Sequence, residues 1–257
     1  MFAQRPVIER NPHAFSVVKD FGYQNLVVGG CSFTYNNSES HACTWPYYLK
    51  DFGNFKKVYD CSLPGAGNYH ISHSLKWALT TEPLDPTDTL VIAMFSGNDR
   101  DDVICSTNSL NDYSMRHLYT RHAVSGITGG CDINSKGNTK QGLDCVKHIK
   151  DKHSRAIENY LYIDSLKAWL DQKGYKSIFL DYLDRKLPHR TSDFDIREYL
   201  PESCIIRLDE IFVACANIYG FALRNNLLSD DDLHPSPDGH LAWTKKCLIP
   251  CLESLNI

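Results

Sequence analysis

The sequence predicts an α/β fold, with helices covering both faces of a mainly parallel sheet, and two observations support this prediction. Apolar runs bounded by turn residues alternate along the chain with stretches of helical periodicity, as in successive strand and helix units. The run Leu26, Val27 and Val28 is continuous rather than alternating, which is typical of a strand buried on both faces. A chain of 257 residues can bury a large core without metal or disulfide support.

Five segments have the apolar content and flanking turn residues expected of strands. They are residues 25–29, 57–62, 89–95, 176–181 and 204–208. Because helical segments separate most of them, we expect parallel neighbours joined by crossover connections.

Four segments are predicted as helices. They are residues 45–52, 69–79, 141–173 and 237–247. Gly174 supplies a C-terminal stop for the third helix. Ser236 with Pro237 behind it forms the N-cap and first helical residue of the last helix, and Pro250 is expected to end it.

Composition and charge narrow the range of functions. Lys and Arg total 27 against 31 for Asp and Glu, a formal net charge of -4, so we expect neither nucleic acid nor a membrane as partner. No apolar block of signal-peptide length opens the chain and no run is long enough to span a bilayer, which predicts a cytoplasmic protein. The ten cysteines include no CxxC pair and are expected to be mostly reduced thiols.

Residues 101–140 are the irregular part of the chain, rich in Ser, Asn, Asp and Gly and without sustained periodicity. A loop of this length inside a compact domain is usually a functional lid or an insertion. We therefore predict a single domain over residues 1–257 with an insertion or lid at about 101–140. A second domain would arise only if this insertion and the long helix after it formed a cap.

Four short segments carry side chains suited to chemistry, and each lies where a strand ends or a helix begins. They are GCSFT at 30–34, SLPGAGN at 62–68, SGND at 96–99 and DDDLHPS at 230–236. Open parallel sheets bind their ligands at this edge. The segments bring a hydroxyl at Ser32, an amide at Asn98 and backbone donors at Gly65 and Gly67 beside a helix start.

The segment at 230–236 is the most specific of the four. Asp231 lies three residues before His234, close enough for its carboxylate to accept from Nδ1–H and leave Nε2 free as a base. Taken singly, each segment is also compatible with an ordinary turn, loop or cap. Thr34 stands where the nucleophile elbow G-x-S-x-G requires its second glycine, which disfavours an ordinary α/β-hydrolase.

In the order Ser, Gly, Asn, Asp-x-x-His, the segments together resemble the SGNH, or GDSL-like, hydrolases. In that family a serine in a G-D-S block, a glycine, the asparagine of a G-x-N-D block and a D-x-x-H-P block form one active site. The matching positions are Ser32, Gly65, Asn98, Asp231 and His234. The resemblance implies a flavodoxin-like three-layer α/β/α sandwich with a mainly five-stranded parallel sheet, the SGNH hydrolase fold.

Two positions depart from the family pattern. Cys31 replaces the aspartate before the nucleophile, and Ser96 replaces the glycine two residues before Asn98. Neither replaced residue performs chemistry, so the departures bear on subfamily and substrate more than on the reaction.

The resemblance implies a serine esterase or acetylesterase acting through an acyl-enzyme. His234 would deprotonate Ser32, and Asp231 would steady the imidazolium. The oxyanion hole would consist of the Ser32 and Gly65 backbone N–H groups and the Asn98 amide, with Gly67 as the alternative glycine donor. No metal or organic cofactor is required.

The expected partner is a small-molecule or glycan ester, and the oligomeric state is left open. The polar insertion, with Tyr113 and His117, would suit a small acyl group on a polar or sugar-like scaffold. The alternatives are a catalytically silent binding module for a glycan or protein, and an acyltransferase. His70 and His73 lie one helical turn apart, but without a third ligand they predict no metal site.

Overall fold

The protein is represented by a computed structural model that describes residues 8–9, 19–35, 44–82, 84–97, 100–101, 131–132, 152–182, 196–229 and 234–257. The strands in these ranges are Ile8–Glu9 (β1), Asn25–Gly29 (β2), Lys57–Asp60 (β3), Thr89–Phe95 (β4), Arg100–Asp101 (β5), Cys131–Asp132 (β6) and Lys176–Asp181 (β7). The α-helices are Trp45–Phe52 (α1), Asn68–Thr81 (α2), Lys152–Gln172 (α3), Glu202–Ile211 (α4), Ile218–Arg224 (α5), Pro237–Trp243 (α6) and Ile249–Ser254 (α7).

The main sheet has the strand order β1-β3-β2-β4-β7. Strands β3, β2, β4 and β7 run parallel, and β1 pairs antiparallel with β3 at one edge. Numbered by their appearance in the chain, the four parallel strands have the order 2-1-3-4, which is the flavodoxin-like arrangement. The strand order reverses between β2 and β4, so the carboxyl ends of these two strands form the crevice where such folds bind ligands.

Two helical layers enclose this sheet. Helices α2 and α3 pack against each other, and α1 packs against α6. The α1–α6 contact includes Trp45 and Trp243, both fully buried, with ring centroids 6.1 Å apart. Between the layers every residue of β4 is buried, as the continuous apolar run predicts. The predicted α/β/α sandwich is confirmed.

The four predicted parallel strands from residue 25 to residue 181 are confirmed, but the strand predicted at 204–208 is wrong. That segment lies inside α4, where Leu208 and Ile211 are buried at a helical spacing and Ile206 is exposed. The fifth parallel position is instead occupied by a single bridge between Phe179 and Phe212. Val213 N–H donates to the Phe179 carbonyl at 3.1 Å beside this bridge.

The helix predictions are confirmed at α1, α2 and the described part of α3, since residues 141–151 of the third prediction lie outside the described residues. Pro250 does not end the last helix. A π-helical turn at Thr244–Leu248, in which Ile249 N–H donates to the Thr244 carbonyl, leads directly into α7. In a regular α-helix a proline has no N–H to donate, and its ring clashes with the carbonyl four residues earlier. The π turn just before Pro250 shifts the hydrogen-bond pattern there, and the helix continues past the proline.

Most of the predicted insertion at about 101–140 lies outside the described residues. Its two described pieces pair with each other, since Asp101 lies opposite Cys131 in the antiparallel β5–β6 ladder. Six cysteines in the described ranges are free thiols, namely Cys31, Cys61, Cys204, Cys215, Cys247 and Cys251. In the part of the chain that the structure describes, no helix combines the length and apolar character needed to cross a membrane.

Candidate active site

A tight turn after β2 presents Ser32 at the carboxyl edge of the sheet. Thr34 N–H donates to the Cys31 carbonyl at 2.9 Å, which closes the turn. Only glycine fits at position 30, because a Cβ there would lie 2.1 Å from the Thr34 hydroxyl oxygen. The Cys31 side chain is fully buried, whereas Ser32 is partly exposed. The turn therefore directs the thiol into the core and leaves the hydroxyl accessible.

The structure brings Ser32 together with His234, although 202 residues separate them in the chain. His234 Nε2 lies 2.7 Å from Ser32 Oγ, within hydrogen-bond range. With the Nδ1–H tautomer of the ring, Nε2 accepts this bond and the hydroxyl donates it. This is the arrangement that the sequence predicts for a nucleophile and its base.

Backbone hydrogen bonds on both sides fix the position of His234. Ser229 N–H donates to the His234 carbonyl at 2.7 Å, and Ser236 N–H donates to the Leu227 carbonyl at 2.8 Å. Ser236 then caps α6, accepting from Gly239 N–H at 3.1 Å. These bonds attach the backbone of His234 and of the residues after it to the described segment that ends at Ser229.

Aromatic packing holds the plane of the imidazole. The ring of Phe33 lies against His234 with centroids 4.7 Å apart and an interplanar angle of 38°. Phe33 in turn contacts Tyr182 at 4.5 Å and Tyr219 at 6.2 Å. Phe33 is not among the site residues that the sequence predicts. Its position directly after Ser32 in the turn was the available signal.

The glycine loop between β3 and α2 lies beside the Ser32 turn. Leu63 N–H donates to the Gly30 carbonyl at 3.0 Å and joins the two segments. Ala66 N–H donates to the Leu63 carbonyl at 3.0 Å, and Gly65 has φ of +68°, which glycine adopts without strain. Gly67 is the N-cap residue of α2. Both candidate glycine donors therefore belong to one loop next to Ser32.

Two predicted site residues, Asn98 and Asp231, lie outside the described residues. Asn98 falls between Gly97 and Arg100, and Asp231 falls between Ser229 and His234, at two separate breaks in the described chain. The amide donor and the orienting carboxylate therefore stay predictions.

His240 lies behind the site and is buried. Burial, followed by the charge of His234, lowers the pKa of His240 to about 3. His240 is thus neutral near pH 7.

The described ranges contain no group of three or more His, Cys, Asp or Glu side chains that could hold a metal ion. His70 is buried in α2. His73 packs on Tyr69 with ring centroids 4.1 Å apart, and burial, followed by the charge of Lys76, lowers its pKa.

Comparison with known proteins identifies relatives by structure rather than by sequence. No family model matches the sequence, and no curated protein matches it. The psychrotrophic esterase EstA from Pseudoalteromonas sp., in a structure inhibited by monoethylphosphonate, superposes with a TM-score of 0.52 at 10% identity, over 90% of this chain and 98% of that chain. The protein TesA superposes with a TM-score of 0.51 at 14% identity, over 90% of this chain and 99% of that chain. The chain has the SGNH hydrolase fold.

A member of the lipolytic protein G-D-S-L family from Veillonella parvula superposes less closely, with a TM-score of 0.48 at 12% identity, over 86% of this chain and 94% of that chain. At these identities the likeness to EstA and TesA establishes the shared architecture. Within this SGNH fold, the Ser32 turn, the glycine loop and the end of β4 follow three neighbouring parallel strands at one edge of the sheet. The chemistry has to be inferred from the side chains at that edge.

Proposed function

We propose that the protein is a serine ester hydrolase that acts through an acyl-enzyme on Ser32. The observation that carries this proposal is the 2.7 Å contact between His234 Nε2 and Ser32 Oγ. A serine hydroxyl is a weak nucleophile unless a neighbouring base accepts its proton. The pair lies at the crevice between β2 and β4, where doubly wound sheets bind their ligands.

The reaction begins when Ser32 Oγ attacks the carbonyl carbon of an ester. His234 Nε2 takes the hydroxyl proton and then returns it to the leaving alcohol. Asp231 accepts from Nδ1–H and stabilises the imidazolium, a role that rests on the resemblance of the D-x-x-H-P segment. Water, activated by the same imidazole, hydrolyses the acyl-enzyme. Each of these steps uses only side chains of the chain itself.

The oxyanion of the tetrahedral intermediate is stabilised by three donors in this proposal. They are the backbone N–H of Ser32, the backbone N–H of Gly65, and the side-chain amide of Asn98, with Gly67 as the alternative to Gly65. The hydrogen bond between Leu63 N–H and the Gly30 carbonyl supports this grouping, because it holds the glycine loop beside the nucleophile. The N-terminus of α2 adds a favourable dipole at the same place.

The substrate class in this proposal is a short-chain or acetyl ester on a carbohydrate or another polar scaffold. The polar composition of the insertion at about 101–140 supports it, since the sequence offers no long apolar segment for a fatty acyl chain. One structural neighbour, EstA, is named an esterase, which agrees with ester chemistry.

A fluorophosphonate probe tests the proposal directly, because it reacts with activated serines. We expect labelling of the wild type on Ser32, found by peptide mapping, and loss of labelling in Ser32→Ala and His234→Ala. Ser254→Ala is the matched control, since that serine lies in α7 with an exposed hydrogen bond and should leave labelling unchanged. Absence of labelling on the folded wild type would instead support a silent binding module.

Product analysis then separates hydrolysis from acyl transfer. Short-chain nitrophenyl esters and acetylated sugars are supplied with and without an acceptor alcohol. Free acetate as the main product, at a rate that Ser32→Ala abolishes, supports the hydrolase. Acetylated acceptor as the main product supports the acyltransferase.

A further inference from the structure

The side chain of Asn68, the first residue of α2, is buried and uses its full hydrogen-bonding capacity. Its Oδ1 accepts from the Ser96 backbone N–H at 2.8 Å and from the Ser96 hydroxyl at 3.1 Å. Its Nδ2 donates to the Ser96 carbonyl at 3.3 Å and to Asn159 Oδ1 at 2.7 Å. A side-chain amide offers two donors and two acceptor positions, and all four are occupied here.

These hydrogen bonds connect three elements next to the site. Asn68 directly follows Gly67 of the glycine loop, Ser96 is the first residue after β4, and Asn159 lies in α3. Asn159 Nδ2 donates to the Arg155 carbonyl at 2.9 Å, which leaves its Oδ1 directed at Asn68. The network therefore fixes the distance between the glycine loop and the end of β4.

All three side chains of this network are buried, with 1% of Asn68, 4% of Ser96 and 6% of Asn159 exposed. Apolar side chains could fill the same space without any need for partners. A buried amide is costly unless each of its polar atoms is bonded, so it specifies one geometry rather than adding much net stability.

The network also accounts for a departure of this chain from the family pattern. Ser96 stands where the family has glycine, two residues before Asn98. A glycine would provide the backbone N–H and carbonyl but no hydroxyl. The Ser96 hydroxyl supplies the second donor to Asn68 Oδ1, so Ser96 and Asn68 act as a matched pair.

We propose that Asn68 is a positioning residue that fixes the end of β4 at Ser96 relative to the glycine loop, and so prearranges the oxyanion donors proposed for these two segments. This inference rests on the proposed function and adds a role that the four sequence segments do not assign. Donors that are aligned before the reaction stabilise the developing oxyanion without reorganisation, so misalignment should lower turnover more than substrate binding.

The first measurement is steady-state hydrolysis of a short-chain nitrophenyl ester. We expect Asn68→Ala to lower kcat by about 10- to 100-fold with a change in KM of less than about 3-fold, as for weakened oxyanion stabilisation. Asn225→Ala is the control, because it removes a comparable amide bond to the Phe221 carbonyl at the end of α5 and should leave kcat unchanged. An Asn68→Ala enzyme with wild-type kcat would overturn the proposal.

A double-mutant cycle with Asn98→Ala separates positioning from general structural damage. If Asn68 acts through Asn98, its replacement should cost less than about 3-fold in the Asn98→Ala background, since the group it positions is gone. If the two effects multiply, Asn68 does not act through Asn98 and the proposal is wrong. Should Asn68→Ala fail to fold, Ser96→Ala serves in the same cycle with the same two outcomes, because it removes only the hydroxyl.

Fluorophosphonate labelling distinguishes failure of this inference from failure of the proposed function. An enzyme that labels at Ser32 and loses activity in Asn98→Ala, but not in Asn68→Ala, retains the proposed function and refutes the positioning role. An enzyme that shows no labelling at Ser32 refutes both.

Discussion

The imidazole of His234 is held on several sides by contacts of different kinds. Ser32 Oγ bonds its Nε2, Phe33 packs on its ring, and backbone hydrogen bonds hold the His234 carbonyl and the Ser236 N–H. The proposed nucleophile, Ser32, and the proposed base, His234, are thus in direct contact. A base that is already positioned lowers the entropic cost of proton transfer when substrate binds.

The contribution of Asn98 is the first quantity to measure at the scale of single residues. Loss of one oxyanion donor typically costs about 10²- to 10³-fold in turnover. We therefore expect Asn98→Ala to reduce kcat within that range while fluorophosphonate labelling of Ser32 persists at a lower rate. A kcat within a factor of about 3 of the wild type would remove Asn98 from the oxyanion hole.

His240 gives a prediction for the pH dependence of stability. Its pKa is lowered to about 3 in the folded protein, so between its ordinary pKa and that value the unfolded chain binds the additional proton. The contribution of His240 to the free energy of unfolding is therefore fully present above about pH 6.5 and declines as the pH falls towards 3. At pH 5 the loss is about 2 kcal/mol.

The variant His240→Leu has no titrating group at this position. We expect its free energy of unfolding, from urea denaturation, to fall by about 2 kcal/mol less than that of the wild type between pH 7 and pH 5. Equal pH dependence in the two proteins would show that His240 is not the acid-sensitive group.

Site residues with a characteristic type and spacing can be predicted from the sequence. Site residues that are defined only by their contacts in three dimensions cannot. Ser32 and His234 belong to short segments with recognisable chemistry. Asn159 carried a weaker signal, since it is a polar residue on the stripe of α3 that buries Ala156, Ile163 and Leu166. A polar side chain in such a stripe indicates a buried partner, but the sequence does not name that partner.

Among the secondary-structure elements, continuous apolar runs were the reliable predictor. Strand β4 has the bounds that its sequence predicts because both of its faces are covered. The strand prediction at residues 204–208 was wrong because a short apolar run fits a strand and a helix equally well. Within α4, Arg207 donates to Asp164 of α3 and to Glu210 one turn further along the helix, a pattern that reveals the helical period only once these partners are known.

The N-cap residues of α6 and α5 form a matched pair, with which the support that α6 gives to His234 can be tested. The Ser236 side chain accepts from Gly239 N–H at 3.1 Å, and the Asn217 side chain accepts from Gly220 N–H at 2.6 Å. Replacement of either residue by alanine should cost about 1 kcal/mol of stability, measured by urea denaturation. Only Ser236→Ala should also lower kcat, because it loosens the segment that carries His234. Equal kcat in both variants would show that α6 does not support the base.

For the molecule as a whole, the sheet runs through the hydrophobic core, and residues 90–95 of β4 are all fully buried in it. Ile92 lies fully buried in the middle of β4, opposite Val28 on one side and Ile178 on the other. We expect Ile92→Ala to reduce the free energy of unfolding by about 2–5 kcal/mol through lost burial and a cavity. The proposed catalytic pair, Ser32 and His234, lies outside the middle of β4, so kcat at low temperature should change little. A loss below 1 kcal/mol would contradict the tightly packed sheet.

The strand β1 and the bridge at Phe212 have a consequence for solubility. They lie at opposite margins of the sheet, where one pairs with β3 and the other with β7. Unoccupied strand margins invite neighbouring molecules to add their own strands, which leads to aggregation. Here short segments of the same polypeptide occupy part of both margins, and we expect them to hinder strand-by-strand growth into fibres in a concentrated solution of this protein.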